Sequence, residues 1–501
     1  MLALLTLAAS LSPLLTLSAL WQMKEWRLDR LREHLREEGI VRQMVGVVRI
    51  LVLLPFTVGH LLSQAIPLSL WPIDALVALA CVNLAQILLR RQPQPVWTLK
   101  AIVIVITTGL ITLILGLVIP PRFLPLIPLL QILPMSAAWI LWKPADTLLK
   151  HRVMERAKQI RLARENLTVI GITGSVGKST TKELLAHILK EKNVLSTPAH
   201  VNTEMGVSQW LARELPRHEA TQVLIVEMGA YRTGEIALLC SIIRPTLGII
   251  TFIGHQHIGL FGSQEALVQA KSELVLSLPA DGHAFINADC ALCERAKNVA
   301  PCAVTTIGTG GPADLEAFDI EEMPAGIRFR TEDTVFTVPL HGTHNITNVL
   351  LAIAVARFLG LALDEIAMRL RSFAPPRKTF TVREERNTTI LDDTHNASPM
   401  SFEAAIQWAR TQPFEEKTLL TSGLIELGEE QERIHADLGA QARTIFQRVI
   451  FVHPRSALSF AEGLGRPVEI LDRKTRKAPA GSLVVCIGRM SEDTIRRLLP
   501  T

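Results

Sequence analysis

Apolar and polar positions follow two different patterns along this chain. In the first, apolar residues run together: residues 1–23 carry no charge, 50–73 none apart from His60, and Ala75–Leu89, Ala101–Pro121 and Phe123–Trp142 are free of Asp, Glu, Lys and Arg. A helix needs roughly 20 apolar residues to cross a bilayer, so residues 1–142 predict a membrane domain of about five transmembrane helices. Ala75–Leu89 is the shortest window, and a re-entrant or interfacial segment also suits it. Residues 143–166, KPADTLLKHRVMERAKQIRLAREN, read as a polar linker helix leading out of this region. From Leu167 onward short apolar runs such as VLIVEMGA, LGIITFIG, HAFINAD, TTILDD, RVIFVH and SLVVCIG alternate with helical patterns such as TTKELLAHILKE and SQEALVQAKSELVLSL. That alternation predicts an α/β fold with a mainly parallel sheet and helices on its faces.

Composition and charge sharpen this division. With 501 residues, 49% of them hydrophobic, and a mean hydropathy of +0.29, the chain is too apolar to be wholly soluble. MLALLTLAAS lacks the basic stretch that opens a signal peptide, so the first window reads as an anchor. Lys24, Arg27, Arg30, Arg32, Arg36 and Arg42 follow it; Arg90, Arg91 and Lys100 follow the third window, and Lys143, Lys150 and Arg152 the fifth. The intervening turns hold only Arg122, so the positive-inside rule predicts a multi-pass protein of the cytoplasmic membrane, its N-terminus outside and its C-terminal domains in the cytoplasm. The basic surplus lies largely beside the spans, and no nucleic-acid partner is implied. KEWRLDRLREHLREE mixes both signs and suits a helix at the membrane surface. The six cysteines suggest no disulfide framework in a reducing compartment, and CALC at 290–293 lacks the second pair of ligands that a zinc site requires.

Candidate chemistry begins at GITGSVGKSTTKE, residues 171–183. The strict phosphate-loop pattern fails, because Ile172 stands where its first glycine should. The physical essentials remain between an apolar strand and a helix: glycines allow backbone N–H groups close to phosphate, the helix N-terminus favours anions, Lys178 brings a positive charge and Ser179 can reach magnesium. Thr173, Gly174, Ser175, Gly177, Lys178, Ser179 and Thr180 are therefore the candidate phosphate-binding set. A chance glycine-rich turn is the alternative.

Further motifs occur in a fixed order: EMGAYRTGEIALL, RPTLGIITFIGHQHIGLFGSQEALVQAKSEL, INAD, HGTHNITNVLLAIAVA, DDTHNASPMSFEAAI and IELGEEQERIH. Together with the phosphate loop they resemble the Mur ligase family, and within it the branch that adds D-alanyl-D-alanine to a muramyl tripeptide. The resemblance runs from Leu167 to the end. It implies a P-loop central domain at 167–374 and a Rossmann-like C-terminal domain at 375–501. It also implies an ADP-forming amide ligase: ATP phosphorylates a carboxylate, an amine attacks the acyl phosphate, and phosphate leaves. On this likeness Lys178 holds the β and γ phosphates, and Ser179 and Glu227 bind one Mg2+. His257 binds a second, with Lys271 as its carbamoylated partner. Asn345 and Asn348 contact adenine, and Arg377 and Asp393 close onto the phosphates and ribose. Taken singly, Glu227, His257, Lys271 and Arg377 read as a strand-end acid, a loop histidine and two surface cations; only their joint appearance argues for chemistry.

The departures matter as well. His395 stands where the D-alanyl-D-alanine-adding branch typically has tyrosine, and VVCIGRMSED lacks the lysine of a family-like Lys-Gly-Ser stretch. The membrane region occupies the place of the domain that grips a UDP-sugar in soluble relatives. The expected function is thus a membrane-anchored ligase of peptidoglycan precursor synthesis. Its partners would be ATP, an amino acid or dipeptide, a muramyl-peptide-like carboxylate that is UDP-linked or lipid-linked, and membrane lipids. Alternatives are a poly-γ-glutamate-type amino-acid ligase, whose loop usually carries arginine, and a non-catalytic ATP-binding scaffold.

Overall fold

The computed structural model describes the chain except residues 29, 33–34, 36–46, 63–70, 90–91, 255–260, 396, 426, 428–429, 455 and 501. It forms two compact units, Met1–His151 and Arg152–Thr501.

In the first unit, three helices among the described residues are long and apolar enough to cross a membrane: Leu2–Met23, Trp71–Leu88 and Leu99–Val118. This is fewer than the five windows predict. The second window gives the 16-residue helix Val47–Leu62, and residues 63–70 lie outside the described set. The fifth gives no long apolar helix: Pro121–Leu126 form a 3-10 turn and an α-helix begins only at Ile132, running to Leu162. Pro125 and Pro128 lack the N–H groups that a continuous helix would need here. Conversely, the shortest window yields a full 18-residue helix because it starts earlier, at Trp71, with Asp74 in its first turn. Small residues allow close approach, as in membrane helix pairs: a Cβ on Gly116 would lie 2.8 Å from the Cα of Ala3. Buried hydroxyls turn back onto their own helix, Thr6 donating to the Leu2 carbonyl at 2.9 Å and Ser10 to that of Thr6 at 2.8 Å.

Among its described residues the second unit holds three sheets. The first contains β1 (Thr168–Thr173), β2 (Val194–Ser196), β3 (Val223–Glu227), β4 (Leu247–Ile250), β5 (His283–Asn287), β6 (Ala303–Gly308) and β7 (Leu315–Glu316), all parallel, in the order β2-β3-β1-β4-β5-β6-β7. The chain goes to one side of β1 and then to the other, so the carboxyl end of β1 lies at a topological switch point, where open α/β sheets bind ligands. On one face Leu184, Leu185 and Ile188 of the helix Lys178–Ile188 pack with Val349, Leu350 and Ile353 of the helix Ile346–Phe358. Each such buried side chain contributes roughly 1.5–3 kcal/mol. The opposite face is covered by Val207, Leu211, Ile236 and Leu239, joined by Ala157. Ala157 belongs to the segment read as a linker, which therefore forms part of this core. Arg161, also from that segment, donates to the Ile243 carbonyl at 2.8 Å.

An antiparallel ribbon, β8 (Phe318–Met323), β9 (Gly326–Thr331) and β10 (Thr334–Val338), adds Phe329 and Phe336 to the first core. The third sheet contains β11 (Thr381–Glu384), β12 (Thr389–Asp393), β13 (Lys417–Thr421), β14 (Arg448–Phe451), β15 (Glu469–Ile470) and β16 (Leu483–Ile487), in the order β11-β12-β16-β13-β14-β15. Among the described strands of this sheet, only β11 runs antiparallel to its neighbour.

Candidate active site

The phosphate-loop sequence folds as a tight turn between β1 and the helix Lys178–Ile188. Two of its glycines are obligatory. Gly174 has φ +152° and a Cβ there would lie 2.0 Å from Thr251 Oγ1; Gly177 has φ +85° and a Cβ there would lie 2.2 Å from Asn348 Oδ1. The loop is pinned to the strand beside it: Ser175 N donates to the Phe252 carbonyl at 2.6 Å, and Thr251 Oγ1 to that of Val176 at 2.5 Å. Lys178 Nζ donates to the carbonyls of Gly174 at 2.7 Å and Ser175 at 2.9 Å. Burial lowers its pKa, against the pull of the Glu227 carboxylate.

Register brings the next residues in. Ile172 pairs with Glu227 across β1 and β3, so this acid ends its strand beside the loop. Ser179 Oγ donates to Glu227 Oε2 at 2.8 Å and Asn202 Nδ2 to Oε1 at 3.3 Å, while Lys182 Nζ lies 3.4 Å from Oε2. Burial would raise the Glu227 pKa, but Lys178, Lys182 and these hydrogen bonds outweigh it and hold the group below the usual carboxylate range. Lys182 escaped the sequence reading although it sits one turn after Lys178, at the spacing that shares a helix face.

Lys271, on the helix Gln264–Leu276, is only 2% exposed. Burial, then the Lys178 charge, push its amine down to about 7 against Glu235 and Glu273. Asn345 and Asn348 are also buried: Asn348 Nδ2 donates to Asn345 Oδ1 at 3.0 Å, and Asn345 Nδ2 to the His341 carbonyl at 2.9 Å. Asp393 ends β12, and burial pushes it up to about 6.

These residues converge on one cavity of about 680 Å³. Gly174, Ser175, Gly177, Lys178, Ser179, Thr180, Glu227, Lys271, Asn345, Asn348, Arg377 and Asp393 all line it. Thr173 stands behind the wall, its Oγ1 donating to the Met228 carbonyl at 3.0 Å. His257 lies outside the described residues, and among those described no three His, Cys, Asp or Glu side chains form a metal cluster. The lining also includes His200, Tyr231, His344, His395 and Arg489. His395 and Arg489 fall within the two stretches that depart from the family pattern. His200 and His344 had no signal strong enough to separate them from loop histidines.

The segment 172–356 matches the model of the Mur ligase middle domain. The UDP-N-acetylmuramoyl-tripeptide–D-alanyl-D-alanine ligase of Escherichia coli is 32% identical over 314 residues, covering 59% of this chain and 67% of its own length. The chain belongs to the Mur ligase family. The enzyme of the same name from Synechocystis sp. is 34% identical over 284 residues, 56% of this chain and 61% of its own length. This Mur ligase thus spans less than two thirds of that relative. Among solved structures, the MurF ligase of Thermotoga maritima in complex with ADP superposes with a TM-score of 0.59 at 27% identity, over 69% of this chain and 82% of its own. The middle-domain match contains the loop, Glu227, Lys271, Asn345 and Asn348, whereas Arg377, Asp393, His395 and Arg489 lie beyond it.

Proposed function

We propose that this Mur ligase is an ATP-dependent, ADP-forming amide ligase that adds D-alanyl-D-alanine to a muramyl tripeptide, working from the cytoplasmic face of a membrane in peptidoglycan precursor synthesis. The convergence of the phosphate loop, Glu227, Lys271 and Asp393 on one cavity carries the reading. The names of its relatives supply the substrates.

In this mechanism Asn345 and Asn348 take the adenine, Asp393 the ribose, and the loop amides with Lys178 and Arg377 the phosphates. Lys178 exchanges its two carbonyl partners for phosphate oxygens. Ser179 Oγ and the Glu227 carboxylate are hard oxygen donors of the kind Mg2+ takes, so the residues present fit that ion; His257 and Lys271, the latter as a carbamate, would hold a second. Mg2+ supplies charge neutralisation on the phosphates, which is most of what phosphoryl transfer asks of an enzyme. Lys271 is suited to become a carbamate, because an amine near neutrality keeps a lone pair free to take up CO2. The phosphoryl group passes to the tripeptide carboxylate, and the amine of the dipeptide then displaces phosphate from the acyl carbon.

The test is direct. Protein purified in mild detergent is given ATP, Mg2+, UDP-N-acetylmuramoyl-tripeptide and D-alanyl-D-alanine, and ADP and product mass are followed. ADP release that requires both carboxylate and amine supports the reading. ATP binding without any release would favour a scaffold. A different amine would fit the altered residues His395 and Arg489, so single amino acids belong in the same panel.

A further inference from the structure

His200 and His395 meet inside the cavity, their ring centroids 4.9 Å apart and their planes tilted by 46°. They come from separate parts of the unit. His200 follows β2 at φ +66°. His395 follows β12, and its backbone N–H donates to the Lys378 carbonyl at 3.1 Å. Neither ring has a part in the mechanism above.

That mechanism leaves a proton unplaced. An amino acid or dipeptide arrives as an ammonium ion, which has no lone pair with which to attack. Among the described residues lining the cavity, acceptors are few. Guanidinium groups cannot accept a proton, which removes Arg377 and Arg489. Lys178 and Lys182 are committed as donors to backbone carbonyls. Glu227 is occupied by Ser179 and Asn202, Glu183 lies 3.4 Å from Lys182 Nζ, and Asp393 and Lys271 are assigned above to the ribose and the metal. His344 is packed edge-on against Phe380, beside the two asparagines assigned to adenine. The remaining imidazoles of this lining are the paired rings.

We propose that His395 accepts the proton of the incoming ammonium ion, with His200 as the positioning residue that holds its ring. This rests on the ligase reading. One ammonium proton passes to an imidazole nitrogen of His395. The freed lone pair forms the C–N bond as the acyl C–O bond to phosphate breaks, and the bonding electron pair leaves on phosphate. A second nitrogen proton departs with the phosphate as hydrogen phosphate, and the imidazolium returns its proton to solvent. The charged and titratable groups facing His395 are His200, Arg489, Glu227 and Lys378. Burial, with the nearby positive groups, keeps the ring neutral near pH 7 despite Glu227.

The experiment separates the two half-reactions in the full-length protein with UDP-N-acetylmuramoyl-tripeptide. Hydroxylamine is already neutral at pH 7 and traps an acyl phosphate without a base. His395→Gln is expected to keep hydroxamate formation within about threefold while losing roughly 10²-fold with D-alanyl-D-alanine, the scale of general base catalysis. It should also lose the acid limb of the pH–rate profile. His200→Ala removes the ring contact and should lower turnover with D-alanyl-D-alanine several-fold, less than His395→Gln does. His200→Phe keeps a ring against His395 and should restore most of that loss with the acid limb in place. Equal loss with both nucleophiles, an acid limb that survives in His395→Gln, or a His200→Phe variant as impaired as His395→Gln would each overturn the assignment. Absence of hydroxamate from the wild-type protein would overturn the ligase reading first, and this proposal with it.

Discussion

In Arg152–Thr501 many of the buried polar side chains are charged, and several of these meet at one cavity; in Met1–His151 they are largely hydroxyls and amides that close on their own surroundings. Lys178, Lys182, Glu227 and Lys271 share a single cavity with Asp393. Thr6 and Ser10 instead bond the preceding turn of their own helix, and Gln131 donates to Thr112 at 3.2 Å. A buried charge is costly unless it is paired, so a fold that gathers four such groups around the half-buried Lys178 implies a use for them. A buried hydroxyl that returns to its own helix carries no such implication. The first unit packs helix on helix, whereas the second gathers charged side chains around one cavity.

The comparison breaks most visibly at Lys178. Lys178→Met removes the cation held over the phosphate loop, and turnover should fall on the order of 10³-fold, as when a principal electrostatic donor is lost. Steady-state ADP release measures it, and near-normal turnover would mean that the charges are structural.

Lys271→Ala comes next. If the buried amine becomes a carbamate, its loss should cost about 10²-fold, as for other groups that support a metal. Short carboxylic acids added to the assay should restore part of the rate in this variant, and none in Lys178→Met.

Asp393 links the site to stability. Its carboxyl moves from 3.8 unfolded to about 6 folded, so the folded state holds the proton more tightly between these values. Stability from this group is therefore greatest below about pH 4 and declines through pH 6. Asp393→Asn should remove the penalty and raise stability at pH 7 by up to about 3 kcal/mol, since each tenfold change in proton affinity is worth about 1.36 kcal/mol. It should also weaken nucleotide binding. Denaturant midpoints for both proteins at pH 4 and pH 7 decide it; an unchanged difference between the two pH values counts against the buried carboxyl.

Gly116→Leu tests the other unit. With Ala3 Cα 2.8 Å from the Cβ position, overpacking should cost about 1–3 kcal/mol and lower the thermal midpoint of the detergent-solubilised protein. ATP binding should be unaffected.

How much of this was legible in the sequence follows from the same contrast. Motif order groups the loop, Glu227, Lys271 and the two asparagines, and they line one cavity because parallel strands deliver their carboxyl ends to one edge and register fixes which residues stand there. Hydropathy reports length and polarity only. It could not register that Pro125 and Pro128 interrupt the fifth window, nor that the helix over the third begins at Trp71. The ribbon β8–β10 was also missed, since FDIEEM and TVFTV are short and mixed in polarity. His200 and His395 lie about 195 residues apart in sequence, and nothing local announces their contact.

The smallest expected effect concerns the boundary between the units. Every described residue lining the cavity lies beyond Arg152, so a fragment of residues 150–501 should bind ATP within about twofold of the full chain, the tolerance expected of independent regions. The cut must stay ahead of Ala157, which is fully buried, and Arg161, which donates to the carbonyls of Ile243 at 2.8 Å and Arg164 at 2.9 Å. A fragment of residues 165–501 loses both. It should unfold at lower denaturant, by roughly 2–4 kcal/mol for a vacated core position and an unpaired buried carbonyl. Titrating both fragments with ATP and then with urea tests the point. If the two behave alike, the segment 150–164 is only a tether; if residues 150–501 fail to bind ATP, the first unit contributes to the site and the contrast drawn above is wrong.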